Sequence, residues 1–192
     1  MFNYRQWRQN LVGDLSGVVL EIGVGEGENL RHYRAAQQIW AIEPDEKRAA
    51  QARTVAATCA IPITVDITAA ESLPYSDLMF DHVVSSLVFC SVQDQMQALH
   101  EIQRVLKPNG VLHMVEHVQP ETRWLAALFH AVTPWWRQIA FNCHLDRPTL
   151  QVLQNAGWEV IVKRRFFMFV RVQAQYRRLE DHRTETQRRQ VS

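Results

Sequence analysis

Cysteine is scarce. Only Cys59, Cys90 and Cys143 occur in 192 residues. They are odd in number, widely spaced and without a C-x-x-C pair, which excludes a disulfide framework and a four-cysteine zinc knot. A basic excess is also missing: Lys plus Arg number 21 against 20 for Asp plus Glu, a formal net charge of +1. Nucleic-acid-binding domains carry a clear positive surplus, so nucleic acid is not an expected partner. No apolar run reaches the roughly 18 residues of a membrane-spanning helix, so no transmembrane segment is expected. The opening MFNYRQWRQN lacks the apolar centre of a secretion signal, and the expected compartment is the reducing cytoplasm. What remains is an ordinary globular composition, 47% hydrophobic and 21% charged, over a length that suits one domain.

Short apolar runs rich in Val and Ile recur along the chain, at Val18–Ile22, Ile39–Ile42, Ile61–Ile67, His82–Phe89, Val111–Val118, Trp158–Val162 and Phe166–Ala174. Many are apolar on both faces, as strands buried between two helix layers are. Helical patterns lie between them at Asp45–Ala57, Gln93–Leu106 and Thr149–Ala156, and a further one follows the glycines after the first strand. Pro108-Asn109-Gly110 predicts a turn that ends the second of these. The alternation predicts an α/β doubly wound sheet. It would occupy residues 1–176, interrupted by an aromatic insertion at about 119–147 and followed by a charged tail, 177–192.

The informative segment is Val18-Val-Leu-Glu-Ile-Gly-Val-Gly-Glu-Gly-Glu-Asn-Leu30. Glycines at 23, 25 and 27 in a strand-to-helix turn permit positive φ and close approach of a ligand to the backbone. The spacing is G-x-G-x-G, and Glu21, Glu26 and Glu28 crowd the turn. Their charges repel the pyrophosphate that a dinucleotide site would hold there and favour a ligand with a positive centre. Glu43-Pro44 ends the next strand, with Glu43 lying 18 residues after Gly25. An acid at that tip accepts hydrogen bonds from ribose hydroxyls. A ribose and a cationic, phosphate-free headgroup together describe S-adenosylmethionine.

The blocks LEIGVGEG, IEPDEKRAAQAR, AAESLPY, FDHVVSSLVFCSV, LHEIQRVLKPNGVLHMVEHV and CHLDRPTLQVLQNAGWEV resemble the class I S-adenosylmethionine-dependent methyltransferases of the type 11 group. LVFCSV, EHV and CHLDR are most similar to its thiol S-methyltransferase branch. The resemblance implies a seven-stranded, mostly parallel Rossmann-like sheet in the order 3-2-1-4-5-7-6, with the seventh strand antiparallel. It also implies that S-adenosylmethionine is bound and S-adenosylhomocysteine released. Glu21 would orient the glycine turn and the methionine amino group. Gly23, Val24, Gly25, Glu26 and Gly27 would line the cofactor, and Glu43 and Pro44 its ribose. Ala69 stands where many relatives have an adenine-contacting Asp, so Ala70 or Glu71 would supply that contact. Ser85, Ser86 and Leu87 would lie beside the methyl group.

The acceptor is expected to be a small or lipophilic nucleophile. A thiol comes first, because its pKa of about 8.5 demands only modest help toward thiolate. An amine, including a phosphatidylethanolamine-like headgroup, is the alternative, with a quinone-type carbon behind it; a non-catalytic S-adenosylmethionine-binding module is the rival from another class. His117, at the end of the fifth strand, is the candidate proton acceptor. Cys143-His144-Leu-Asp146-Arg147 offers His144 and Asp146 as further candidates. Adjacent Cys and His seldom ligate one ion, so no metal is expected there. Trp124, Phe129, Trp135, Trp136 and Phe141 suit a lid over the acceptor, a core, or a helix lying on a membrane surface. His113 and Cys90, each inside an apolar run, are expected to be core residues.

Overall fold

The computed structural model describes residues 4–117, 133, 135, 147–166 and 169–176. Seven strands make one sheet: β1 (Gly17–Ile22), β2 (Ala36–Ile42), β3 (Ile63–Asp66), β4 (Phe80–Ser86), β5 (Leu106–His117), β6 (Trp158–Phe166) and β7 (Phe169–Tyr176). Their spatial order is β3-β2-β1-β4-β5-β7-β6. The first five run parallel, and β7 is antiparallel to both β5 and β6. This is the doubly wound order that the resemblance implied.

Neighbouring residues of a strand point to opposite faces, and here both faces are covered. Val19, Ile39, Val84 and Val115 pack toward α1 (Tyr4–Val12) and α2 (Glu46–Ala56), through Trp7, Leu11, Ala49 and Ala52. Leu20, Val83, Leu112 and Met114 pack the other way, against Leu99 and Ile102 of α3 (Gln95–Val105) and Leu153 of α4 (Thr149–Asn155). Two cores therefore grip one sheet, which is why the strands read as nearly continuous apolar runs. Two aspartates fix where helices begin at the carboxyl edge of the sheet. Asp45 accepts from the Arg48 N–H at 2.8 Å and Asp94 from the Gln97 N–H at 3.0 Å, each capping a helix start.

Several boundaries differ from the sequence reading. No long helix follows the glycine run; a single 3-10 turn, Leu30–His32, leads almost at once into β2. The fourth strand stops at Ser86 rather than Phe89, because Leu87 adopts φ +60° and turns the chain. Pro108-Asn109-Gly110 lies inside β5 as an irregularity: Leu106 pairs with Phe80 and Val111 with His82. Proline has no N–H for the ladder, so the intervening residues leave it without ending the strand.

Candidate functional site

In open α/β sheets ligands bind outside the carboxyl ends of the strands, where the strand order reverses. Here β1 is followed by β2 on one side and flanked by β4 on the other, and a cavity of about 1020 Å³ opens above that point. Ligand sites usually measure about 300–1,000 Å³, so this one is roomy enough for a cofactor and an acceptor together.

The end of β1 and the loop after it form its floor, with Glu21 from the strand and Gly23, Val24, Gly25 and Glu26 from the loop all on the cavity wall. Gly23 and Gly25 have φ +62° and +60°, and a Cβ on Gly25 would come within 2.6 Å of Arg48 Nη2. The backbone conformation therefore demands glycine there, while the Arg48 tip is the mobile end of a long side chain. Glu21 is buried, and both its oxygens are engaged. Oε1 accepts from Asn29 Nδ2 at 2.8 Å and Oε2 from the Tyr33 hydroxyl at 2.9 Å. Burial raises its pKa to about 7, against the pull of those two hydrogen bonds and of the Arg8 charge. The side chain expected to orient the glycine turn is thus held by Asn29 and Tyr33 instead.

Glu43 takes over that task. It is buried at the tip of β2, where Oε2 accepts from the Gly25 N–H at 2.9 Å. Oε1 accepts from the Asp45 N–H at 3.3 Å and faces Arg48 Nη1 at 3.6 Å. One carboxylate therefore ties the two loops together at the place assigned to the ribose. Pro44 lines the same wall, as do Ala70 and Glu71 from the loop after β3. Glu71 Oε1 accepts from the backbone N–H groups of Gln93 and Asp94 at 2.9 and 3.2 Å, joining that loop to the start of α3.

Ser86 and Leu87 line the cavity beyond β4, and Val88, Cys90, Ser91 and Val92 continue the wall. Leu87 holds its left-handed φ because its N–H donates to the Val115 carbonyl at 2.7 Å, while Glu116 grips the next two residues. Glu116 Oε1 accepts from the Val88 and Phe89 N–H groups, both at 3.1 Å. From the other side Arg147 Nη1 donates to the Phe89 and Val92 carbonyls at 2.9 and 2.5 Å. Strained backbone fixed this firmly is characteristic of ligand-contacting turns.

Two expected residues do not reach the cavity. Gly27 lies back from it: a Cβ there would meet Leu30, Val55 and Ala52 at 3.1–3.2 Å, so its role is to let α2 approach the loop. Ser85 is fully buried and its hydroxyl donates to Glu116 Oε1 at 3.0 Å, below the turn. His113 is a core residue as expected, its ring nitrogens 3.2 Å from His82 Nδ1 and 3.3 Å from Gln173 Nε2. Burial, then the neighbouring positive or ionisable groups, lowers its pKa to about 3, so it stays neutral. Cys90 is also buried, but it lines the cavity, which its apolar surroundings in sequence did not foretell.

The backbone of His117 closes β5 opposite Phe169; its side chain, like His144, Asp146 and most of the 119–147 insertion, lies outside the described residues. Within that insertion Trp135 is 64% exposed and Thr133 buried.

The wall suits the group that the glycine spacing called for. Among the described lining residues seven are carboxylates and two, Arg8 and Arg48, are cations. Such a donor set disfavours a diphosphate and favours a ligand with a positive centre, such as a sulfonium. Glu43 puts a carboxylate acceptor on the same wall, as a ribose diol would require, so the residues present fit S-adenosylmethionine.

Comparison with known proteins agrees. Residues 20–114 match the family described as a methyltransferase domain. A thiol S-methyltransferase of Rattus norvegicus is 31% identical over 78% of this chain and 65% of its own. A ubiquinone/menaquinone biosynthesis C-methyltransferase of Geobacter sulfurreducens is 30% identical over 65% of this chain and 53% of its own. The chain thus spans less than two thirds of the length of these relatives. The fold is shared with an S-adenosylmethionine-dependent methyltransferase of Mesorhizobium loti at a TM-score of 0.68 and 18% identity, covering 88% of this chain and 95% of that one. Among the described residues no helix is long and apolar enough to cross a membrane.

Proposed function

We propose that this chain, whose residues 20–114 match a methyltransferase domain, is an S-adenosylmethionine-dependent methyltransferase that methylates a small or lipophilic thiol. The observation that carries the methyl-transfer reading is the acid-lined glycine turn at the switch point of the sheet. The thiol is supported by the name of the relative from Rattus norvegicus.

When bound, S-adenosylmethionine supplies a methyl group already activated on a sulfonium. The chain's own work is then alignment and exclusion of water. Gly23, Val24 and Gly25 offer backbone at close range. Glu43 receives the ribose hydroxyls, and its grip on the Gly25 and Asp45 N–H groups keeps the two loops in register. Ala70 and Glu71 border the adenine. The turn from Leu87 to Val92, held by Glu116 and Arg147, faces the acceptor. A thiol near its pKa loses its proton to a modest base, and His117, at the carboxyl end of β5, is the residue proposed to take it, with His144 and Asp146 as alternates.

The decisive experiment incubates the protein with methyl-labelled S-adenosylmethionine and a panel of thiols, amines, phenols, quinols and lipid headgroups. Labelled thioether is the expected product. Label on amines alone or on a quinol carbon would replace the thiol, and the relative from Geobacter sulfurreducens makes the quinol arm worth including. No transfer to any acceptor, together with no binding of S-adenosylhomocysteine, would overturn the reading.

A further inference from the structure

Helix α1 precedes the residues matched by the methyltransferase family, which begin at residue 20, and its sequence suggests no part in the site. Tertiary packing gives it one. Trp7 and Leu11 are buried against the sheet, and Arg171 Nη1 donates to the Asn10 carbonyl at 2.9 Å. The helix so held delivers Arg8 into the cavity wall.

The two cations on that wall stand at different places. Arg48 faces Glu43 at the ribose end. Arg8 stands at the β1 end, where its Nη1 donates to Asn29 Oδ1 at 2.8 Å. The same amide donates through Nδ2 to Glu21 Oε1, also at 2.8 Å. One asparagine therefore couples a buried carboxylate to a guanidinium, and both groups line the cavity. That is a receptor with two poles of opposite sign.

Resting on the methyltransferase reading, we propose that Arg8 receives the α-carboxylate of the amino-acid end of S-adenosylmethionine, while Glu21 faces its α-ammonium. The amino-acid end is a zwitterion. Its carboxylate would be repelled by a wall of seven carboxylates unless a cation met it, and a guanidinium meets a carboxylate with two parallel hydrogen bonds. Arg8 has a replaceable partner to give up. Its Nη2 pairs with Glu28, whose side chain is 63% exposed, and ion pairs at the surface exchange at little cost. Asn29 stays in place and keeps Arg8 and Glu21 in register.

Calorimetric titration of the full chain tests this without any turnover. The ligands are S-adenosylhomocysteine and its decarboxylated analogue, which keeps the amine and lacks the carboxylate. Wild type should prefer S-adenosylhomocysteine. Arg8→Met should weaken it about 10–100-fold, the range of a hydrogen bond to a charged group, while leaving the analogue's affinity unchanged. Arg8→Lys should recover part of the loss, and Glu28→Gln, which removes the competing carboxylate, should tighten S-adenosylhomocysteine. Equal losses for both ligands in Arg8→Met, or no loss for either, would overturn the assignment of Arg8 while leaving the cofactor reading intact. A wild-type chain that binds neither ligand would remove that reading and this inference with it.

Discussion

Glu21→Gln should make this protein more stable at neutral pH and abolish part of its pH dependence. Glu21 is 1% exposed, and burial moves its pKa from 4.5 to about 7. A carboxyl whose pKa is higher folded than unfolded contributes stability that is fully present below pH 4.5 and is lost as pH rises through 7. One pH unit corresponds to about 1.4 kcal/mol, so the full displacement is worth about 3 kcal/mol. Glutamine cannot ionise, and its amide can still accept from Asn29 or Tyr33 through its oxygen. Urea unfolding at pH 5 and at pH 8 gives the measurement. The difference in unfolding free energy between variant and wild type should shift in the variant's favour by about 2–3 kcal/mol between those two pH values, since a little of the loss is already present at pH 5. Other titrating groups are common to both proteins and cancel in that difference. Parallel pH profiles for the two proteins would refute the reasoning, because they would mean that Glu21 titrates alike in the folded and unfolded chain.

Three further outcomes are expected. Glu43→Ala should weaken S-adenosylhomocysteine binding by about 1.5–3 kcal/mol and also lower stability, since Gly25 and Asp45 lose their acceptor; Glu43→Gln, which can still accept from Gly25, should restore stability more than affinity, as melting and calorimetry would show. Glu116→Ala should lower unfolding free energy by about 2–5 kcal/mol, because the buried donors of Ser85, Val88 and Phe89 lose one shared acceptor; a urea midpoint equal to wild type would contradict that. His117→Ala should cut thiol turnover at neutral pH by about 10²–10⁴-fold, with the deficit shrinking in alkali and S-adenosylhomocysteine affinity unchanged; a deficit independent of pH removes His117 from the chemistry.

Much of the fold was legible in the sequence because its signals are local. Two-faced apolar runs announce buried strands, and the glycines after β1 announce a turn with positive φ. Element boundaries failed where one residue's conformation outweighed the local pattern. Leu87 ends β4 inside an apolar run because β5 supplies the acceptors, the Val115 carbonyl and the Glu116 carboxylate, that hold its turn. Pro108 interrupts the ladder without ending β5, since the strand resumes against His82.

Within the site, sequence spacing identified the acids and glycines but misjudged their partners. Glu21 and Glu43 both line the cavity, yet it is Glu43 that holds the glycine turn, while Glu21 is held by Asn29 and Tyr33. Asn29 had a readable position two residues after the last glycine of the turn. Arg8 had none, because its neighbourhood is assembled from residues about 20 positions away. The sequence by itself determined the sheet, its helix layers and the kind of ligand that the glycine turn accepts, since hydrophobic periodicity and backbone conformation are properties of short segments. Only the tertiary structure decided which charges meet across the cavity, because a hydrogen bond between α1 and the β1 loop depends on how the chain packs, and no spacing along the sequence encodes it.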